Sequence, residues 1–405
     1  MNLRMAVLFL YMWFLCMTTS APAFSATLAQ LLEEAMTRTP EVQALSSQEI
    51  VIEENRKAAS RWFPDAPEIS VSGLTDQWQS NVGRREWRTE ISSPLWNRGQ
   101  RNQKMRAADI SGKKWQADKN AIRLNLAGNL REAVWLVAET KAVVRVAEQR
   151  VDNAEQLERD VARRVAAGEL ARADLLLAQS DTLAARNLLD DGRQQLIEAQ
   201  QSLLVLTGQD SLPVNMEENK YVPITLEALL ENHPLIVAAQ QSSAFEQTEL
   251  GVVRTSKAQP SAALGMTRER DDYDAEQRTT MDLTLTLPLG AESRNRTALA
   301  EAKTSLARAD SELQKTRREV TQRIATAQSA LVIAERQRYQ AEQRTTLAQE
   351  NLELSRRAFN GGELDLLSLL RLQTSTLDAL ENRELKVIGF QRAIARLNQA
   401  LGVLP

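Results

Sequence analysis

Apolar residues recur at helical spacing along most of the chain, and the two longest helical stretches contain no proline. Residues 98–167 and 292–360 can each form one helix of about 70 residues, about 100 Å long at 1.5 Å per residue. In both stretches small and apolar residues step by three and four, the heptad spacing of a left-handed coiled coil. The predicted seam of the second stretch is Ile324, Ala327, Leu331, Ala334, Arg338, Ala341, Thr345, Ala348, Leu352 and Ser355. The same frame in the first stretch contains Val137, Val144, Ala147, Val151, Ala154 and Val161.

Each long helix is predicted to reverse at glycine into a shorter helix. Gly168 ends the first long helix and Gly361-Gly362 the second, because glycine accepts the left-handed conformation that lets the chain turn back. The returning helices are predicted over residues 173–206 and 367–401. Each is shorter than its partner and can cover only part of it.

An opening helix in each half is predicted to cover the rest of the long helix. Residues 28–61 and 226–257 have helical periodicity and stop before prolines, and Pro40 and Pro234 mark a break or a helix start. We expect each opening helix to lie end to end with the returning helix of its own half.

Period-two alternation of apolar and polar residues predicts two strands in each half, within about 68–94 and about 261–288. Two interpretations remain open. The four strands could form a small sheet against the helices. They could also cross a membrane, because strands of about 10 residues match the span of a transmembrane β-barrel. A barrel needs about eight strands, so several chains would have to share it. Trp78, Trp87 and Trp96 would then mark lipid interfaces, although plain packing also explains them.

The chain repeats itself at an offset of 194 residues (288 − 94 = 194). The matching positions are Pro40 and Pro234, Pro94-Leu95 and Pro288-Leu289, Gly168-Glu169-Leu170 and Gly362-Glu363-Leu364, Leu175-Leu176 and Leu369-Leu370, Gln179 and Gln373, and Gly208 and Gly402. Repeats of this kind define the organisation before domains are counted. We predict a first repeat over residues 27–208 whose hairpin turns at 168, a linker over 209–224, and a second repeat over 225–405 whose hairpin turns at 361–362.

Residues 1–26 are predicted to be a cleaved signal peptide. Arg4 supplies the positive charge and residues 6–17 the apolar core, and either residues 21–23 or the stretch ending at Ala26 forms a small-residue cleavage site. A membrane anchor is the alternative, but about a dozen apolar residues fall short of the roughly 20 that a spanning helix needs. Cys16, the only cysteine, lies inside this segment, so the mature chain has no thiol chemistry. The mature chain should therefore lie outside the cytoplasm.

The remaining composition argues against catalysis and nucleic-acid binding. The net charge is −3, and no block of lysine and arginine occurs. His233 is the only histidine, which excludes a histidine-pair metal site, and its place before Pro234 predicts a local structural role. Nucleophile-elbow, phosphate-loop and zinc-site spacings do not occur. We predict no enzyme, no cofactor and no metal site.

The two hairpin ends carry the same triplet. Gly168-Glu169-Leu170 and Gly362-Glu363-Leu364 place acidic and apolar groups at the ends of the long helices. Helix capping with a solvated first turn would explain them. Their recurrence at the same register favours docking or gating.

Together these features resemble the TolC-like family of outer-membrane efflux proteins. The resemblance rests on the duplicated halves and covers essentially all of the mature chain. Its motifs, in order, are Thr27-Leu28…Pro40, Pro94-Leu95…Gly99, Gly168…Asp174-Leu175-Leu176…Ala178-Gln179, Thr225-Leu226…His233-Pro234, Pro288-Leu289 and Gly362…Leu369-Leu370…Gln373. Residues 94–101 are most similar to the CzcC-like branch, which is associated with heavy-metal efflux.

The resemblance implies a mainly α fold with a small β part. Long coiled-coil hairpins would form a periplasmic α-barrel of twelve helical columns, and four strands per chain would join a twelve-stranded barrel shared by a homotrimer in outer-membrane lipid of a Gram-negative bacterium. It further implies a passive conduit for substrates, heavy-metal cations among them, supplied by an inner-membrane pump of the resistance-nodulation-division type and a periplasmic adaptor, or membrane fusion protein. The triplets at the tips would contact the adaptor.

The resemblance also suggests a gate. Family tunnels often narrow at an acidic ring near the tips, which makes Asp174 and Asp365 gate candidates. Ser368 stands at the position equivalent to Asp174, with Arg371 one turn further on. With serine at this position, the two copies do not form a simple double ring of aspartates. Ser368 and Arg371 are therefore also gate candidates.

Other functions remain open. The conduit could serve organic toxicants or a secreted protein instead of metal cations. A periplasmic adaptor would normally have a single hairpin, which two equal halves argue against. A soluble periplasmic coiled-coil scaffold would lack membrane strands, so extraction from membranes by salt or carbonate would identify it.

Overall fold

The computed structural model describes residues 27–223, 225–256, 258–289 and 295–405; the predicted signal peptide lies outside these ranges. Within them the chain is mainly helical with four strands, which confirms the predicted class. The elements in chain order are α1 (Leu28–Arg38), α2 (Pro40–Ser60), β1 (Glu68–Thr75), β2 (Arg85–Pro94), α3 (Gln100–Ala166), α4 (Arg172–Thr207), α5 (Leu226–Asn232), α6 (Pro234–Thr255), β3 (Ser261–Arg270), β4 (Arg278–Thr286), α7 (Arg296–Asn360) and α8 (Leu366–Ala400).

The long and short helices pack in four columns. Helix α3 contacts α2 and α4 on one side and α6 and α8 on the other, and α7 packs on α6 and α8. The order of columns is therefore α2 with α4, then α3, then α6 with α8, then α7. Each opening helix and the returning helix of its half cover one long helix together, as the sequence predicts.

The heptad seam of α7 is confirmed by burial. Ile324, Leu331, Ala341 and Leu352 are buried, while most side chains between the seam positions are exposed. Thr345 is 1% exposed, and its hydroxyl donates hydrogen bonds of 2.9 Å to the carbonyl oxygens of Ala341 and, across the seam, Ala379 in α8. Arg338 is the one charged residue of the predicted seam. Its guanidinium lies 4.7 Å from the ring centroid of Phe390, a cation–π contact that accommodates an arginine at this position.

The two early prolines start new helices. Pro40 is the first residue of α2 and Pro234 the first of α6. His233 is buried, and its Nδ1 accepts a 3.3 Å hydrogen bond from the backbone N–H of Leu235. Burial lowers the pKa of His233, so the neutral ring that can accept this bond is favoured. The histidine has the local structural role that was predicted.

The segment after α4 is fastened to the helices by a buried ion pair. Nε and Nη2 of Arg131 each donate to a different carboxylate oxygen of Glu218, both at 2.7 Å. The Arg131 side chain is 2% exposed and that of Glu218 is 10% exposed. Asn398 in α8 donates to the same carboxylate at 3.0 Å, and Gln399 accepts from Arg131 at 2.5 Å. We call these four residues the linker clamp.

A second charged group joins α3 to α8 nearby. Arg396 donates to Oε1 of Glu132 at 2.6 Å, and Arg392 also bonds Glu132. The other carboxylate partner of Arg392 is Glu139, at 2.8 Å. The hydrogen bond from Arg396, helped by Arg392 and opposed by desolvation, lowers the pKa of Glu132 to about 2.

The four strands form one antiparallel sheet in the order β1-β2-β3-β4. The central pair, β2 with β3, joins the two halves of the chain. Strands β1 and β4 lie at the two edges and have no further partner among the described residues. The sheet therefore ends in two open edges.

Helices suited to crossing a membrane, both long enough and apolar enough, are not found in the described ranges.

Candidate functional site

The sheet has one apolar and one polar face. The register aligns Ile69 with Ile91, Ile91 with Leu264, and Leu264 with Leu283, so these four side chains share a face. The large apolar side chains of this face are all exposed: Ile69, Val71, Trp87, Ile91, Leu264, Met266, Met281, Leu283 and Leu285. A sheet that exposes an apolar row of this length needs a lipid or protein surface to cover it.

The opposite face holds an ion triad. Nη2 of Arg88 lies 2.9 Å from Oε2 of Glu90 and 3.1 Å from Oδ2 of Asp282. Glu90 and Asp282 flank Gly265 in one row of the sheet. A Cβ on Gly265 would come within 2.6 Å of Oδ1 of Asp282, so a larger residue there would displace this carboxylate from its present position.

Negative charge predominates on this polar face. Glu86 lies directly opposite Glu269, and Glu269 is in turn opposite Arg278. Directly opposed like charges destabilise a sheet. The strand positions of this face carry five carboxylates, Glu68, Glu86, Glu90, Glu269 and Asp282, and two guanidinium groups, Arg88 and Arg278. The face has a net charge of −3 (2 − 5 = −3).

The three singled-out tryptophans lie in and beside the sheet. Trp87 is on the apolar face, with its ring over Gly73. Trp78 is 92% exposed in the turn after β1. Trp96 follows β2, and its indole N–H donates a 3.3 Å bond to the carbonyl oxygen of Arg61. They are distributed toward both ends of the strands, and their assignment to lipid interfaces remains a prediction.

The hairpin tips are built alike. Gly168 and Gly362 have φ values of +79° and +77°, and a Cβ on either would meet nothing within 4 Å, so the backbone angle alone requires glycine. The N–H of Glu169 donates to the carbonyl of Arg164, and that of Glu363 to the carbonyl of Ala358, both at 2.9 Å. These are the long bonds of Schellman caps, and they leave both glutamate side chains exposed.

Leu170 and Leu364 are half-buried in one apolar cluster that joins the two tips. Arg164 in α3 lies 5.0 Å from the ring centroid of Phe359 in α7 and donates a 2.9 Å bond to Asn360. A groove of about 570 Å³ lies beside these contacts. This groove could not be predicted from the sequence, because its walls come from α3, α7 and α8, which no local pattern brings together.

The gate candidates of the two copies are helix caps. In the first copy, Oδ2 of Asp174 accepts from the N–H of Ala171 at 3.1 Å. In the second copy, Oδ1 of Asp365 accepts from the N–H of Ser368 at 2.8 Å. The hydrogen bonds from the N–H and hydroxyl of Ser368 lower the pKa of Asp365. Arg371 is exposed one turn further on.

The two copies thus differ in the position of the capping carboxylate along the returning helix. Ala171 corresponds to Asp365, and Asp174 corresponds to Ser368 (365 − 171 = 194 and 368 − 174 = 194). Each copy keeps one carboxylate that satisfies an N–H at the start of its returning helix.

Metal-binding groups of three or more histidine, cysteine, aspartate or glutamate side chains do not occur in the part of the chain that the structure describes.

Comparison with known proteins identifies the class. The model of the outer membrane efflux protein family matches residues 31–209. The chain is 25% identical to the cobalt-zinc-cadmium resistance protein CzcC of Cupriavidus metallidurans over 328 residues, covering 77% of this chain and 76% of that protein. The first half of the chain thus matches the outer membrane efflux proteins, a family of transport channels rather than enzymes, and most of the chain is similar to CzcC.

Solved structures show the same fold. The outer membrane protein VceC of Vibrio cholerae superposes with a TM-score of 0.75 at 15% identity, over 93% of this chain and 96% of that one. The MtrE outer membrane channel of Neisseria gonorrhoeae, in its open state, gives a TM-score of 0.73 at 16% identity, over 93% and 89% of the two chains. The protein is an outer-membrane efflux channel component, and its helices form the periplasmic portion.

Proposed function

We propose that three copies of this chain close into one tube that carries divalent metal cations across the outer membrane, receiving them from an inner-membrane pump of the resistance-nodulation-division type through a periplasmic adaptor. The observation that carries this proposal is the pair of open sheet edges, β1 and β4, on a sheet with one apolar and one polar face. Lipid cannot satisfy an open edge, so β4 of one copy must pair with β1 of the next.

Three copies supply twelve strands. A barrel of about eight strands has an interior just wide enough for side chains, so two copies would leave little passage. In the closed barrel the apolar face contacts lipid and the polar face, with its acidic excess, lines the passage.

The helical edges support the same closure. Helix α4 at one edge of the layer exposes Leu176, Leu183 and Ile197, which are spaced by 7 and 14 residues. Helix α7 at the other edge exposes Ile333, Leu347 and Leu354, spaced by 14 and 7. Two heptad stripes on opposite edges fit each other when copies join head to tail.

The acidic face and the relative CzcC together favour cations as substrates. The net charge of −3 on the polar face of each chain raises the local concentration of cations in a narrow passage. The name of CzcC refers to cobalt, zinc and cadmium. An exit duct for organic toxicants or a secreted protein is the second candidate, and it requires no acidic lining.

The hairpin tips are the proposed adaptor contact. Gly168-Glu169-Leu170 and Gly362-Glu363-Leu364 present two exposed carboxylates beside the groove at Arg164. The proposed gate uses Asp174, Asp365, Ser368 and Arg371. Because Asp174 and Asp365 cap their own helices, we expect gating to move whole hairpins rather than to rotate these side chains.

The decisive experiment measures conduction and transport by the full chain. Purified protein in planar bilayers should give trimer-sized channels with cation preference, and a deletion strain should become sensitive to cobalt, zinc or cadmium ions. Release of the protein from membranes by carbonate would contradict the conduit. Sensitivity to organic toxicants alone would assign the second candidate. Assembly is tested by Leu183→Glu, which should prevent trimers, with Val214→Glu, at an exposed position outside the stripe, as the control.

The tip contact is tested by charge reversal. Glu169→Lys with Glu363→Lys should weaken crosslinking to the adaptor while trimers form normally. Glu301→Lys, a charge reversal at an exposed position of α7 away from the tips, is the matched control. Unchanged crosslinking of the tip variant would refute this contact.

A further inference from the structure

The apolar face of the sheet ends in a row of arginines. Arg85, Arg268 and Arg270 occupy the same face as Trp87, because Arg85 is opposite Arg270 and Trp87 is opposite Arg268 in the register. All three arginines lie at the end of the strands that carries the two turns. We call these three residues the arginine rim.

Carboxylates of the described residues do not pair with this rim. Among the described residues, no carboxylate oxygen lies within 4.0 Å of these guanidinium groups. Arg268 donates a 2.9 Å bond from Nε to the neutral Oε1 of Gln277, and Arg270 lies 5.5 Å from the ring centroid of Tyr273. Nε of Arg270 is buried without a hydrogen-bond partner. Directly opposed arginines destabilise a sheet unless an anion joins them.

The rim has no counterpart at the other end of this face. Toward the helices, the same face continues through Ile91, Leu264 and Leu283 to Ser93, Ala262 and Leu285. The strand positions there carry no cation. A lipid-facing band is about 25 Å tall in barrels of this kind, so the rim lies at one boundary of the hydrocarbon layer.

This boundary is the extracellular one. The helices form the periplasmic portion, and the turns after β1 and β3 lie at the opposite end of the sheet. The two turns are joined there, since the Tyr273 hydroxyl donates to Oδ1 of Asn81 at 2.8 Å and the Tyr273 N–H donates to the carbonyl of Val82 at 3.2 Å. The rim therefore meets the headgroups of the outer leaflet.

We propose that the arginine rim binds the phosphate groups of a phosphorylated glycolipid in the outer leaflet. Guanidinium groups form paired, charge-assisted hydrogen bonds to phosphate oxygens, and two opposed arginines can hold one phosphate between them. Trp87 adds an indole at headgroup depth, where tryptophan is favoured. The inference depends on the outer-membrane location and not on which substrate the channel carries.

The test is native mass spectrometry of the purified full-length protein in detergent. The probes are lipid A with two phosphates and the same lipid with both phosphates removed. The wild type should retain the phosphorylated lipid at least tenfold more strongly, and Arg85→Gln/Arg268→Gln/Arg270→Gln should abolish the preference. Millimolar inorganic phosphate should not displace the lipid, because the protein contacts the acyl chains of the lipid as well as its phosphate groups.

The matched control is Arg278→Gln, at the same end of the sheet but on the polar face. It should retain the preference for the phosphorylated lipid. Equal retention of both lipids by the wild type would refute the proposal, as would an equal loss in Arg278→Gln or displacement by inorganic phosphate. If the triple variant does not assemble, the two probes on the wild type and the single variants Arg85→Gln and Arg270→Gln still decide.

Discussion

Arg88 and Asp282 stand 194 residues apart and form an ion pair of 3.1 Å across the intervening strand β3. This separation equals the repeat offset, so one position of the repeat carries opposite charges in its two copies. Gly265 accommodates the present position of the Asp282 carboxylate, which a side chain at residue 265 would displace. The two halves are therefore complementary at this level of the sheet rather than equivalent.

The charges of the polar face should set the ion preference of the open channel. Glu86→Gln with Glu269→Gln removes two negative charges per chain and should lower the permeability ratio of potassium to chloride at least about twofold. Arg88→Gln removes a positive charge and should raise the ratio. Reversal potentials in a salt gradient across planar bilayers measure both effects.

The opposite signs make this prediction specific. Thr89→Ser, on the lipid-facing side of β2, serves as a control that should leave the reversal potential unchanged. A ratio that does not respond to either change would place selectivity elsewhere in the tube.

Breaking the linker clamp should strongly destabilise the protein. Arg131→Met leaves the Glu218 carboxylate buried without its partner, which costs about 3–5 kcal/mol in comparable buried pairs. The double change Arg131→Met with Glu218→Leu should recover much of this loss, because the uncompensated charge is gone. Thermal or denaturant unfolding, followed by helical ellipticity, measures both variants.

The exposed pair Arg193–Glu148, at 3.6 Å, provides the comparison for the clamp. Arg193→Met should change stability by only about 0–1 kcal/mol. A clamp variant that unfolds like this control would show that the segment after α4 is not held by Arg131.

Stability at low pH should depend on Glu132. Its pKa in the folded protein is about 2, below the ordinary value of 4.5, so its ion pairs stabilise the fold fully above pH 4.5. Below that value the unfolded chain binds a proton more readily than the folded one, and the contribution is lost as the pH falls toward 2. Glu132→Gln should be less stable than the wild type at pH 7, and the two unfolding curves should converge near pH 2. A constant difference over this range would contradict the assignment.

The two tip glycines should tolerate asparagine better than alanine. Gly168→Ala and Gly362→Ala place a Cβ at φ near +78°, with a cost of about 1–2 kcal/mol per site. Asparagine adopts this conformation more readily, so Gly168→Asn should lose less. Hydrogen exchange of the Glu169 amide, which closes the cap, reports the local effect. Equal losses for alanine and asparagine would show that the left-handed backbone angle is not the cause of the loss.

The heptad and the strand alternation predicted the helical seam and the two faces of the sheet, because both are local periodicities. Val144 and Leu352 are buried where the three-four spacing placed them. The pairing of β2 with β3 could not be predicted in this way. Alternation assigns each side chain of a strand to one face, but it does not identify the neighbouring strand.

The linker clamp and the carboxylate caps of the returning helices could not be predicted from the sequence, for different reasons. Arg131 and Glu218 are 87 positions apart, and Glu218 lies in an irregular segment with no period. At the tips, alignment by offset exposed the change from Asp174 to Ser368. Only the hydrogen bonds showed that the capping carboxylate had moved to Asp365 in the second copy.

The central strand pairing also fixes an order of events during folding. Pro94 and Ser261 face each other across β2 and β3 although 167 residues separate them (261 − 94 = 167). Closing a loop of that length costs entropy before any bond of this pair forms, whereas the hairpin of α3 and α4 closes locally. The helical layer should therefore form first in the aqueous space and bring the two β-hairpins together. Membrane insertion is then the last step of maturation, and mutations that slow helix packing should delay it.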